Sequence, residues 1–189
     1  MQTKNKRVAI YIDGSNFYFK LSSAPLNFNN LIQFDYFNFA KWLSRDRIFG
    51  NVRYYIGVVR AKEDNQKGQE LRKKQQKLFA HLMSPAQNCI VKKGFLMSSD
   101  GKYHEKGVDV QIAVDLVVGA YDDLYDTAIL ISSDTDLIPA IKKVKELGKE
   151  VEYIGFAHHP SIALQKCASL SRLLIKEDLE PFVKINSKE

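Results

Sequence analysis

The sequence predicts an α/β protein, a three-layer α/β/α sandwich with a mainly parallel central sheet. Short β-branched and apolar runs alternate with longer segments of helical period along the chain. Most of the short runs are nearly continuous in Val, Ile, Leu, Phe or Tyr, the composition of strands covered on both faces. Within 189 residues no repeat, low-complexity stretch or linker-like segment interrupts the alternation. That length suits one domain with a sizeable core. One unit over 1–189 is expected, with its core at about 7–175 and a short C-terminal extension.

The first strand expected is Val8–Ile12, closed by Asp13-Gly14-Ser15-Asn16, where Ser15 or Asn16 would cap the next helix. A helix over Tyr36–Asp46 carries Phe39, Trp42 and Leu43 at i, i+3, i+4. After a strand at Val52–Val59, the segment Gln66–Met83 aligns Leu71, Leu78, Phe79, Leu82 and Met83 on one stripe. Lys67, Arg72, Lys73, Lys74 and Lys77 fall largely outside that stripe. Cys89–Leu96 is the third strand. Gly107–Ala120 is apolar around most of its circumference and is expected to be a central buried helix. Strand Ala128–Ser132 follows, then an amphipathic helix from Pro139 to Leu147 stopped by a C′ glycine at Gly148. Val151–Phe156 and Arg172–Ile175 complete the strands. Alternation of this kind packs helices on both faces of the sheet, and ligands then bind at the carboxyl ends of the strands.

The composition, 45% hydrophobic and 26% charged, is ordinary for a soluble globular protein. No apolar run is long enough to span a membrane, and Val8–Ile12 is too short for a signal-peptide core. Cys89 and Cys167 lack metal-ligand spacing, so a reduced, cytoplasmic protein is expected. The net charge of +6 favours phosphate-bearing partners. The face bearing Lys73, Lys74 and Lys77 is the best candidate contact for nucleic acid, with a plain solvated helix face as the alternative.

Three segments bring acids to expected strand ends or helix starts: Asp13-Gly14-Ser15-Asn16, Lys106-Gly107-Val108-Asp109-Val110 and Ser133-Asp134-Thr135-Asp136-Leu137. Each has a bland reading. Asp13 makes a turn, Asp109 complements a helix dipole, and Asp136 caps the helix containing Pro139. Together, Asp13, Asp109, Asp134 and Asp136 would repel one another at one sheet edge unless a cation neutralised them. Carboxylates alone suit Mg²⁺ or Mn²⁺, and no His/Cys spacing suits zinc. An acidic metal pocket on a basic protein is the combination a nuclease needs.

These three segments, with their flanking Ile12, Ile131 and Ser132, resemble in order and spacing the motifs of the NYN domain, a PIN-like ribonuclease family, nearest its LabA-like branch. The resemblance runs from about Arg7 to about Ile175. It implies a PIN-like fold, metal-dependent cleavage of RNA, and metal-binding catalytic acids at Asp13, Asp109, Asp134 and Asp136. Asn16 and Ser133 would lie beside the substrate, and Lys106 would face a phosphate or orient an acid. Ser133 stands where the family often has glycine. Cys167-Ala168-Ser169 stands where relatives often carry an Ala-Asp or Cys-Asp pair.

Other residues carry less. Asp115 is about 240° around an ideal helix from Asp109 and is read as an accessory acid or a hydrogen-bond acceptor. His158-His159 and His104-Glu105 are expected in loops. Of Phe17, Tyr18 and Phe19, at least one must be core, which leaves the others open to base stacking. Competing functions are an NYN-like module that binds RNA or nucleotides without cutting, and an adhesion module of von Willebrand A type suggested by Asp13-Gly14-Ser15-Asn16. No dinucleotide loop, no phosphate-binding Gly-Lys-Ser/Thr motif and no acid pair of a receiver domain is present.

Overall fold

The computed structural model describes residues 6–59, 65–99 and 102–183, with backbone alone at 96–99 and 102–105. Seven strands form one sheet: β1 (Arg7–Asp13), β2 (Ile48–Val58), β3 (Cys89–Ser99), β4 (Lys102–Lys106), β5 (Thr127–Ile131), β6 (Glu150–Phe156) and β7 (Leu170–Leu174). Their order is β4-β3-β2-β1-β5-β6-β7. Every neighbouring pair is parallel except β3 with β4, an antiparallel hairpin at one edge. The chain order reverses on either side of β1, so β1 and β5 straddle the switch point at which such sheets open a crevice.

Alternation along β1 explains the layering. Val8, Ile10 and Ile12 face one helical layer, while Ala9 and Tyr11 face the other. The first layer holds α1 (Gly14–Ser22), α2 (Tyr36–Ser44) and α3 (Gln66–Leu82), with α7 (Lys176–Leu179) beside them. Phe17, Phe34, Tyr36 and Phe39 form its aromatic centre, in edge-on and tilted contacts. The second layer holds α4 (Val108–Tyr121), α5 (Ile138–Glu146) and α6 (Ile162–Cys167). The segment after β7 folds back, where Phe182 packs on Phe39 and Trp42 and its carbonyl accepts from the Asp35 amide. Among the described residues no helix is long and apolar enough to cross a membrane.

Gly148 has a φ of 76° and stops α5 as expected. Four expectations need correction. α4 is not buried all round: one side packs on the sheet and the opposite side is open to solvent. His104 and Glu105 belong to strand β4 rather than to a loop. In α3, Leu78, Phe79 and Leu82 are buried, but Met83 at the helix end is exposed. Finally α1 is capped by Asp13 itself rather than by Ser15 or Asn16.

Candidate functional site

β1 and β5 pair from Val8↔Thr127 to Ile12↔Ile131, so Asp13 and Ser132 leave the sheet side by side. Asp13 is 2% exposed and starts α1. Its Oδ1 accepts the Asn16 amide at 3.1 Å, and its Oδ2 accepts Asn16 Nδ2 at 2.9 Å and Ser132 Oγ at 2.8 Å. Three of its roughly four acceptor sites are thereby used. The next residue must be glycine. A Cβ on Gly14 would lie 2.4 Å from the Tyr54 ring and 2.7 Å from the Tyr55 carbonyl oxygen.

Ser132 also accepts the Asp134 amide at 3.1 Å, so one buried hydroxyl joins the first acid to the backbone of the third motif. Asp134 Oδ1 in turn accepts the Asp136 amide at 2.9 Å and caps the 3₁₀ turn Thr135–Leu137. The capping acid is therefore Asp134, and Asp136 lies inside the turn with an exposed side chain. Ser133 Oγ donates to Asn16 Oδ1, a second tie between the motifs. Burial pushes the Asp13 carboxyl above its ordinary value, against the hydrogen bonds from Asn16 and Ser132, and the neighbouring Asp134 charge pushes the same way.

Asp109 lies half-buried in the first turn of α4, behind Gly107, whose φ of 83° sets the tight entry to the helix. α4 packs against the 3₁₀ turn that carries Asp136. The fold thus gathers three motifs at one end of the sheet, and hydrogen bonds join Asp13 and Asn16 to Ser132, Ser133 and Asp134. Among the described residues, no three carboxylate, imidazole or thiol groups close on a single point for a metal ion. The donor chemistry nonetheless fits a hard divalent cation, because all four groups offer oxygen. Asp13, Asp134 and Asp136 also have no cationic side chain in ion-pair range among the described residues.

The surroundings settle the minor expectations. Asp115 accepts from Tyr55 OH at 2.8 Å and faces Lys92 at 3.4 Å, the role of a structural acceptor. Phe17 is core, while Tyr18 and Phe19 are exposed. His158 Nε2 meets Ser23 Oγ at 3.2 Å, and its imidazole is held below its usual value chiefly by burial. A small, shallow crevice beside Asn16 and Ser133 is lined also by Lys20, Tyr153 and His159, among others. Lys67, Arg72, Lys73, Lys74 and Lys77 are exposed on α3. Gln75 anchors that helix at the carboxyl end of β2 by donating to Gly57 O at 2.7 Å and accepting from Val59 N at 2.9 Å. Lys106 is exposed just ahead of α4. Sequence reasoning missed Ser132; the available signal was a hydroxyl ending an otherwise apolar strand beside the Asp13 strand.

The model of the NYN domain matches residues 7–173. The chain belongs to the NYN domain family. The NYN domain is of the PIN-like nuclease superfamily, whose members generally use divalent metals, and NYN domains are generally RNA-associated. An uncharacterized protein of Methanocaldococcus jannaschii is 37% identical over 80 residues, 42% of this chain. That match spans 32% of the relative, about a third of its length. The crystal structure of a protein of unknown function from Vibrio parahaemolyticus shares the fold of this NYN domain. Its TM-score is 0.67 at 22% identity, covering 95% of this chain and 98% of that one.

Proposed function

We propose that this NYN domain is a cytoplasmic, metal-dependent ribonuclease of the LabA-like branch, a single unit with its core at 7–175. The observation that carries the reading is the pair Asp13 and Asp134, joined through Ser132 at the carboxyl ends of adjacent parallel strands, with no cationic side chain in ion-pair range of either among the described residues. Asp13, Asp109, Asp134 and Asp136 are the residues to hold Mg²⁺ or Mn²⁺. That ion would supply positive charge to polarise the phosphodiester and activate water. Asp13 is preset for this work because Asn16 and Ser132 hold its carboxylate in one orientation. Asp134 follows it through the shared hydroxyl. Asn16, Ser133 and Lys106 are proposed to contact the RNA at the site, and Lys73, Lys74 and Lys77 to hold the strand beyond it.

The test is incubation of the purified protein with end-labelled structured and unstructured RNAs in Mn²⁺, Mg²⁺ or EDTA. Cleavage that requires a divalent ion and leaves 5′-phosphate ends is expected. A 2′,3′-cyclic phosphate end would mean attack by the RNA's own 2′-hydroxyl and contradict the reading. A second reading, RNA binding without cleavage, is favoured by the spread of the acid side chains, no three of which converge among the described residues. RNA binding with no cleavage under any metal would establish it.

A further inference from the structure

One flank of α1 leads away from the acids. Asn16 stands near its start and Lys20 one turn later, about 6 Å along the axis. At about 100° per residue, Lys20 lies about 40° to one side of Asn16 and Phe19 about 60° to the other, while Tyr18 points about 160° away. Phe17 and Leu21 are turned into the core. The crevice beside Asn16 and Ser133 opens along this flank, between Lys20 and the turn after β6 at His159, and no acidic side chain lines it among the described residues. Lys20 is a cation without a counterion. Its ammonium donates to the His159 carbonyl at 3.2 Å, which uses one of three protons. No carboxylate is in ion-pair range of it among the described residues. Loss of water holds its amine below its usual value, with no opposite charge to offset it.

We infer that Phe19 and Lys20 form a subsite for the nucleotide next to the scissile phosphate, with Lys20 on its phosphate and the Phe19 ring against its base. The inference rests on the proposed RNA site at the acids and adds the direction in which the strand leaves it, over α1 towards the turn after β6. A phosphate at the mouth of the crevice supplies the acceptors that the two remaining Lys20 protons lack. The crevice is too small to take a nucleobase, so the base lies outside it. Phe19, adjacent to Lys20 and 65% exposed, offers an aromatic face there. A cation for the backbone beside an aromatic ring for the base is how proteins hold a single strand whatever its sequence. Stacking of this kind needs an unpaired base, so the RNA is single-stranded at this nucleotide. Tyr18, 46% exposed on the opposite flank of α1, takes no part.

Fluorescence anisotropy of the full chain with a labelled oligouridylate, in EDTA and over a range of salt, tests this without requiring cleavage. Phe19→Ala should weaken binding about tenfold at every salt concentration, and Phe19→Trp should restore it. Lys20→Ala should weaken binding several-fold and lower the salt slope by about 0.7, the release of one counterion from a single strand, while Lys20→Arg should keep both. Tyr18→Ala should bind as wild type does. An abasic oligoribonucleotide should bind wild type and Phe19→Ala alike. All three positions are exposed or half-buried, so an unchanged circular dichroism spectrum and melt is expected of each variant. Wild-type affinity in both Phe19→Ala and Lys20→Ala would overturn the subsite, even if the protein cleaves RNA. A loss in Lys20→Ala confined to RNA with a 5′-phosphate would overturn it by making Lys20 a contact for strand ends. Equal losses in Tyr18→Ala and Phe19→Ala would overturn the assignment of the base to one flank. Wild type that binds with these losses but never cuts would remove the nuclease reading and leave the subsite standing. Wild type that binds no RNA at any salt would overturn both.

Discussion

Replacing Ser132 with alanine tests how the two acidic motifs are joined. The hydroxyl donates to Asp13 Oδ2 at 2.8 Å and accepts the Asp134 amide at 3.1 Å, in a residue only 5% exposed. A hydrogen bond to a charged group contributes about 1.5–3 kcal/mol. The Asp134 amide is partly exposed and can turn to water, so its loss adds little. A deficit of about 2 kcal/mol at neutral pH follows, or a fall in Tm of about 4–8 °C for a chain of this size. The deficit should depend on pH. Burial already holds the Asp13 carboxyl above its ordinary value, so the native state carries more protons than the unfolded chain between those two values. Stability from this group therefore falls as pH rises through that window and is level above it. Losing the serine's hydrogen bond raises the native value further, so the deficit should be full at about pH 7 and smaller near pH 4. Urea denaturation at both pH values measures it. A variant as stable as wild type, or a deficit equal at the two pH values, would refute the link.

Three further predictions rest on single contacts or faces. Arg47 meets Glu152 at 2.8 Å, where Glu152 is 2% exposed and its second oxygen has no partner among the described residues. Arg47→Ala should cost about 3–5 kcal/mol by stranding a buried carboxylate, and a urea-midpoint loss worth less than about 1 kcal/mol would contradict it. Gly14→Ala should cost about 1–3 kcal/mol because the new methyl overlaps the Tyr54 ring and the Tyr55 carbonyl; an unshifted melting curve would show that the strand end can yield. Replacing Lys73, Lys74 and Lys77 with Glu should weaken RNA binding and flatten its dependence on salt, as fewer counterions are released. Fluorescence anisotropy at several salt concentrations reads this, and an unchanged slope would make the face solvated decoration.

Most of the sheet is legible in the sequence because its strands are buried on both faces and therefore continuous in apolar residues. The expected Val8–Ile12 and Val151–Phe156 fall one residue short of the observed strands at one or both ends. β4 escaped because Lys102-Tyr103-His104-Glu105-Lys106 has no apolar run; it pairs only on one side, as the antiparallel edge of the sheet. β2 begins at Ile48, earlier than its apolar run, because its first residues are half-exposed or exposed yet pair with Arg7 and Val8. The burial of α4 was misjudged for the opposite reason. Valine at 110, 114 and 118 raises hydropathy around the helix, but hydropathy does not say whether a second layer covers the outer side. At the site, Asp13, Asp134 and Asp136 were legible as acids at strand ends. Ser132 was not, since a serine closing a strand looks the same whether it ends a turn or bridges two motifs. Which oxygen of Asp13 accepts which donor depends on the register of β1 against β5, a long-range property.

The most direct test of the nuclease account is the rate of RNA cleavage by Asp134→Asn beside wild type, in the same Mn²⁺ or Mg²⁺ buffer and with RNA affinity measured in parallel. The substitution is nearly isosteric, and its side-chain oxygen can still accept the Asp136 amide as Asp134 Oδ1 does. The fold should therefore persist while the charge is lost. Cleavage should fall to background with RNA binding kept or tightened, because one negative charge near the phosphate is gone. Cleavage that continues undiminished in the variant, or that continues in EDTA, would contradict the account.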